Sequence, residues 1–230
     1  MAYRFAQRVA RKLRLQQLYD ALVYPIINRM FFKRLVLKTN NFSENTWLGK
    51  PVWQNTLDLW IIQEAIWEAQ PQLLIECGTN QGGSAYFYAQ LFDLIGAGRV
   101  ITIDVERMHD LTHPRIEFLI GSSIGAEIVA AVSSAVAATA GPVMVILDSD
   151  HSAAHVRAEL ERYAPFVTPG SFVLVQDGVI DVLGIFRADR PGPLPAIKDF
   201  LKYHPEFEAE TERSQKFLIS HHPYGWLRRK

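Results

Sequence analysis

Residues 73–92 read LLIECGTNQGGSAYFYAQLF. An apolar run ends in a carboxylate, Glu76. A turn carrying Gly78, Gly82 and Gly83 follows, and then apolar residues recur at helical spacing. This is the pattern of a strand, a tight turn and a helix. The same alternation continues along the chain. Short runs rich in Ile, Val, Leu and Phe predict strands at 73–77, 99–104, 115–119, 143–147 and 171–175. Helical patterns fall between them near 82–95, 124–138 and 152–164, with another at 194–203. Residues 207–210 and 216–220 read as late strands, and 187–195, rich in proline, as the most loop-like interior stretch. Strands and helices in alternation imply an α/β fold, a mostly parallel, doubly wound, Rossmann-like sheet with helices on both faces. Ligands in such sheets bind at the carboxyl ends of the strands, so residues just after each predicted strand are the candidates.

After the first strand the chain reads Glu76-Cys77-Gly78-Thr79-Asn80-Gln81-Gly82-Gly83-Ser84. A dinucleotide site would call for G-x-G-x-x-G and no acid beside a diphosphate. Here the spacing is G-x-x-x-G-G and an acid precedes the turn. A carboxylate welcomes a cation, which points to S-adenosylmethionine, with its sulfonium and ammonium. Asp104 ends the second strand and is placed to accept hydrogen bonds from ribose hydroxyls. Gly121-Ser122-Ser123 follows the third, where small polar residues can meet an adenine edge. Cys77, the one cysteine, reads as a buried thiol and rules out an internal disulfide.

The fourth strand leads into Asp148-Ser149-Asp150-His151, the fifth into Gln176-Asp177. Parallel strands in register bring these ends together. Hard oxygen ligands of this kind suit Mg²⁺, which would lower the pKa of a substrate hydroxyl. His151 stands ready to take the proton. Plainer roles exist: Asp148 or Ser149 could cap the helix that begins near Ser152, and His151 could simply start it. Asp150 reads either as a support behind the metal ligands, able to supply charge there, or as solvent-facing, and His155 as a surface histidine. His221-His222 has no carboxylate at metal spacing and is assigned no role.

The 24 Lys and Arg balance 24 Asp and Glu, against a generic nucleic-acid partner. No apolar window reaches the length of about 18 residues needed to span a bilayer. The expected location is cytoplasmic, with membrane association open. Residues 1–41 form a separate basic arm ahead of a domain at 42–230. The arm predicts an amphipathic helix over 3–22, an interruption at Pro25, and a second apolar-basic segment over 26–37. It could pack on its own domain, on a sister subunit, or on a membrane surface. Trp60 and Trp67 make a homo-oligomer plausible.

Four stretches in order, WLGKPVWQN (47–55), IECGTNQGGS (75–84), LDSDHS (147–152) and TPGSFVLVQD (168–177), with the tail KFLISHHPYGWLRR (216–229), resemble the family of cephalosporin hydroxylases and rhamnosyl O-methyltransferases. The resemblance runs from about Phe42 onward. It implies a class I S-adenosylmethionine-dependent methyltransferase, with Mg²⁺ in many members. The acceptor it implies is a hydroxyl on a sugar, glycolipid or polyketide-type natural product. Carried onto this sequence, it places Glu76, Gly78, Thr79 and Ser84, with Asn80 and Gly82 in the same turn, at the amino acid end of the cofactor. Asp104 would hold the ribose, and Ser122 and Ser123 would lie near the adenine. Asp148, Gln176 and Asp177 would carry the metal, His151 would be the base, and Gln54 would belong to a segment closing over the cofactor. One departure stands out. The family pattern after the fifth strand is Glu-Asp, and Gln176 removes a negative charge, which weakens the expected hold on the ion. The stretch 178–195, with Ile180, Val182, Leu183, Ile185 and Phe186, would border a partly apolar small-molecule acceptor, or those residues serve packing or oligomer contacts. A nicotinamide-dependent oxidoreductase and a non-catalytic cofactor-binding assembly protein are the competing readings. A non-haem iron site is disfavoured because no His-x-Asp occurs.

Overall fold

A computed structural model describes residues 15–38 and 44–230. The chain divides into two compact units, Met1–Asn41 and Phe42–Lys230. In the first, Leu15–Lys38 is one helix, α1, with Pro25 inside it. The expected break at Pro25 therefore does not occur. Proline removes one hydrogen bond to the preceding turn, but the turns on either side keep theirs. Residues 3–14 of the helix expected over 3–22 lie outside the described residues.

The second unit begins with a two-stranded hairpin, β1 (Thr46–Trp47) and β2 (Lys50–Pro51), and a helix, α2 (Thr56–Ala69). Then come β3 (Leu73–Cys77), α3 (Gly83–Ile95), β4 (Arg99–Asp104), β5 (Ile116–Ile120), α4 (Ala126–Ala137), β6 (Val143–Leu147), α5 (Ala153–Tyr163) and β7 (Phe172–Val175). A short helix α6 (Val179–Val182), a 3₁₀ segment Gly184–Asp189, α7 (Pro193–Tyr203), β8 (Phe207–Ala209), α8 (Thr211–Gln215) and β9 (Trp226–Arg229) complete it. The large sheet runs β5-β4-β3-β6-β7-β9-β8. Strands β3 to β7 pair in parallel, and β9 runs antiparallel to both its neighbours. The chain moves outward from β3 through β4 to β5 and returns to the other side of β3 with β6. The crevice between β3 and β6 is thus the switch point where such sheets bind ligands.

Alternation along β3 divides the core. Leu73, Ile75 and Cys77 pack with Leu160 and Tyr163 of α5 and Ile197 and Phe200 of α7. Leu74 faces Ile62 and Ile66 of α2 and Tyr88 and Phe92 of α3. Both faces of β3 and β6 are buried, as in any sheet covered on two sides. Trp60 and Trp67 stand exposed on α2.

The late strand expected at 216–220 is absent. Thr211–Gln215 is helical, and Leu218 has a φ of 67° that ends any extended run. Trp226–Arg229 takes the place beside β7 because its alternation serves both cores: Trp226 lies in one cluster and Leu227 in the other. The 187–195 stretch is less of a loop than expected: it holds the end of the 3₁₀ segment and the start of α7, and only 190–192 between them is irregular. Among the described residues, no helix is long and apolar enough to cross a membrane.

The strand ends that matter lie level. Cys77 pairs with Ile103 and with Leu147, and Leu147 with Val175. The ladder continues one step past the strands: the Asp148 amide donates to the Cys77 carbonyl (2.7 Å) and the Gln176 amide to the Leu147 carbonyl (2.9 Å). Gly78 has a φ of 103°, and a Cβ there would come within 2.0 Å of the Asp148 carbonyl oxygen. Gly78→Ala is expected to cost about 2–4 kcal/mol, from left-handed strain plus a backbone clash. Urea denaturation followed by circular dichroism measures this; a loss under about 0.5 kcal/mol would mean that the β3 and β6 ends separate freely.

Candidate active site

The turn after β3, the end of β4, the turn after β5 and the end of β6 enclose a cleft of about 440 Å³. Gly78, Asn80, Asp104, Ser122, Ser123 and Asp148 all line it. Asp104 is held in place at both oxygens: Oδ2 accepts from the Asn80 amide (2.8 Å) and Oδ1 from the Val105 amide (2.7 Å). Each carboxylate oxygen keeps a lone pair for a further donor. Asn80 itself is left-handed, with a φ of 48°, a conformation asparagine tolerates better than most residues.

Glu76, Thr79, Gly82, Ser84 and Gln54 were expected at the cofactor, but they are not among the residues lining this cleft. Strand alternation explains Glu76. It shares a face with Leu74, opposite to Cys77, and it is wholly buried. Its Oε2 accepts from Thr102 Oγ1 (2.6 Å) on the paired strand, and Thr102 in turn meets Thr79 Oγ1 at 2.7 Å. Burial pushes the Glu76 carboxyl up to about 7, although the Ser84 and Thr102 hydroxyls favour its ionised form.

Beside the cleft, ligand atoms of Asp148, His151 and Asp177 lie within 4.8 Å of one another. His151 Nε2 is 3.0 Å from Asp177 Oδ2. Gln54 reaches in from the segment before α2 and divides its amide: Nε2 donates to Asp148 Oδ2 (2.8 Å) and to Gln176 Oε1 (2.7 Å). Gln176 is buried, with its oxygen engaged by Gln54 rather than open to the cluster. Burial, then the nearby carboxylates of Asp177, Glu76 and Glu159, raise the Asp148 carboxyl well above its ordinary range. Burial works to raise Asp177 too, but His151, His221 and His222 hold it well below the usual carboxylate range. Two carboxylates and an imidazole in such company form a donor set suited to a divalent cation.

Ser152, not Asp148 or Ser149, caps α5, accepting from the His155 amide. Asp150 is exposed and accepts from the Ser152 amide (2.8 Å). His155 is no surface residue. It lines the cleft, 3.1 Å from Ser123 Oγ and 3.4 Å from Glu159 Oε1. Nor are His221 and His222 without a carboxylate. His221 Nδ1 is 3.2 Å from Asp177 Oδ1, and His222 Nε2 is 3.8 Å from Asp58 Oδ2. These partners are remote in sequence, but the two acids Asp58 and Glu159 left a trace. Each occupies a position in the buried stripe of its helix, Asp58 with Ile61, Ile62 and Ala65, Glu159 with Val156, Leu160 and Tyr163. An acid at such a position is seldom idle.

The chain matches the family described as Rhamnosyl O-methyltransferase/CmcI over residues 40–230. A rhamnosyl O-methyltransferase of Mycobacterium bovis is 32% identical over 194 residues, covering 81% of this chain and 78% of that protein. One from Mycobacterium leprae is 30% identical over 195 residues, covering 82% and 85%. Among solved structures, CmcI with Mg-SAM superposes with a TM-score of 0.62 at 18% identity, over 83% of this chain and 78% of that one. A putative caffeoyl-CoA O-methyltransferase from Staphylococcus aureus gives 0.51 at 15% identity, over 80% and 93%. At these identities the structures speak for the fold.

The Glu76 carboxyl binds its proton more tightly folded than unfolded. Its contribution therefore falls as pH rises from the ordinary 4.5 to about 7, and is level above that. Glu76→Gln keeps the shape and removes the titration. Between about pH 5 and pH 8 the variant should gain on the order of 2–3 kcal/mol relative to the unsubstituted protein. Denaturation midpoints across pH test this; parallel pH profiles would mean that Glu76 is ionised throughout.

Proposed function

The chain belongs to the Rhamnosyl O-methyltransferase/CmcI family. From that premise we propose that this S-adenosylmethionine-dependent O-methyltransferase acts on a sugar hydroxyl of a glycolipid or polyketide-type natural product, assisted by Mg²⁺. One observation carries the reading: the Asp148, His151 and Asp177 cluster stands at the lip of the 440 Å³ cleft at the switch point of the sheet.

S-adenosylmethionine, when bound, supplies an electrophilic methyl on a sulfonium. A divalent cation, when bound, lowers the pKa of an acceptor hydroxyl and fixes its oxygen. Asp104 holds the ribose hydroxyls with the lone pairs its amide partners leave. Ser122 and Ser123 border the adenine, and Gly78 keeps the wall beside Asp148 low. Glu76 acts from behind that wall: Thr79 and Thr102 link it to the turn, so it fixes the turn's shape. Asp148 and Asp177 would hold the cation, Asp148 giving up its proton when the ion binds. Gln176 supports them through Gln54, which holds Asp148 Oδ2 in place. His151, whose Nε2 lies 3.0 Å from Asp177 Oδ2, would serve as the base, and Asp177 would stabilise the imidazolium that results. The half-buried Phe186 and exposed Val182 and Ile185 follow Asp177 directly, giving an acceptor with an apolar portion a surface to lie on.

Transfer of labelled methyl from S-adenosylmethionine to a rhamnose-bearing glycolipid tests the reading. Asp148→Asn and Asp177→Asn should each lower kcat by at least about 100-fold. EDTA should abolish turnover and Mg²⁺ restore it. Full turnover in EDTA would remove the ion from the mechanism, and turnover only with non-sugar hydroxyls would displace the acceptor class.

A further inference from the structure

The turn that presents Asp177 is gripped by residues that no step above employs. Asp177 has a φ of 56°, a left-handed conformation that costs a non-glycine residue about 1 kcal/mol or more and persists only where its surroundings impose it. The surroundings here are Ser220–Pro223. The Asp177 amide donates to His222 Nδ1 (3.1 Å), and His221 Nδ1 is 3.2 Å from Asp177 Oδ1. The Val179 amide donates to the His221 carbonyl (3.0 Å). A Cβ on Gly178 would come within 2.8 Å of the Pro223 carbonyl, so the two segments lie backbone against backbone.

The gripping segment is itself anchored. Asp58, wholly buried in the first turn of α2, accepts the His221 amide at Oδ2 (2.8 Å). The same oxygen is 3.8 Å from His222 Nε2. Ser214 Oγ donates to the His222 carbonyl (2.8 Å), and the His222 amide donates to Ser220 Oγ (2.9 Å). His222 Nδ1 accepts a hydrogen bond, so in the neutral ring the proton sits on Nε2, toward Asp58. His221 Nδ1 donates to Asp177 Oδ1, which leaves Oδ2 facing His151.

We propose that His221 and His222 are positioning residues for Asp177, and that Asp58 positions them. They hold the left-handed turn in place and turn Oδ2 toward Asp148 and His151. Without them Asp177 would relax to an ordinary backbone conformation and withdraw its carboxylate from the cluster. The proposal rests on the divalent-cation reading of that cluster.

The test uses the full chain with Mn²⁺ alone, free ion being counted by electron paramagnetic resonance. His221→Leu and His222→Leu should weaken Mn²⁺ binding by about 10- to 100-fold, the usual cost of removing a group that orients a metal ligand. His221→Asn and His222→Asn keep a polar atom near the Nδ1 position and should stay within about threefold of the unsubstituted protein. A purely structural role would not separate leucine from asparagine in this way. Hydrogen exchange at the Asp177 amide gives a second readout that needs no metal. It should accelerate by at least about tenfold in His222→Leu and little in His222→Asn. Unchanged Mn²⁺ affinity in folded leucine variants would overturn the proposal. If the leucine variants do not fold, the asparagine variants decide: near-normal affinity supports the proposal, and a loss beyond about tenfold overturns it. If the unsubstituted protein binds no Mn²⁺, the cation reading fails. The amide then decides the clamp by itself, and equal protection in His222→Leu would sink it.

Discussion

The hydrogen bond from the Asp148 amide to the Cys77 carbonyl joins the cofactor cleft to the acidic cluster. It extends the β3–β6 ladder beyond both strands and sets Asp148 directly over Gly78. The contact requires a residue without Cβ, since any other side chain would meet the Asp148 carbonyl. The Gly78 amide meanwhile donates to the Ile103 carbonyl (2.8 Å), which ties the same residue to β4. One glycine thus levels three strand ends. Asp104 lies on one side of it, Asp148 on the other, and the cleft lies between. The parallel sheet supplies the direction, and this backbone contact supplies the registration on which every distance in the site depends.

The sequence discloses this arrangement where local patterns carry it. The strand–turn–helix pattern at 73–92, the parallel sheet and the converging ends of β6 and β7 follow from alternation and punctuation alone. Strand parity was also available: Glu76 lies two residues after Leu74 and so shares its face. An acid at a strand end nevertheless invites placement in the cleft, and only the packing of Thr102, Thr79 and Ser84 around it reveals a buried group. The last third of the chain is less legible. Its strand order depends on which apolar pair, Phe217-Leu218 or Trp226-Leu227, can serve two cores at once. The His221-His222 pair is silent for the same reason. Its partners Asp58 and Asp177 lie at sequence separations of 163 and 44 residues, where no spacing rule applies.

Charge explains why these remote contacts matter. Asp148 feels Asp177, Glu76 and Glu159, and so many carboxylates cannot all ionise in one buried region. Glu76 answers by keeping its proton to near neutrality, and Asp148 binds a proton more tightly than an ordinary carboxyl does. Asp177 alone is pulled strongly toward the ionised form, because three histidines surround it. A glutamate at 176 would add another anion next to the donor that Gln54 already shares. Glutamine instead accepts that donor without charge, which relieves Asp148 but leaves the cluster less able to draw in a cation. The attraction then falls mainly on Asp177, the member of the cluster with a left-handed backbone. A cluster with fewer charges depends more on the aim of each one, so the segment that imposes the Asp177 turn bears on cation binding as directly as the ligands themselves.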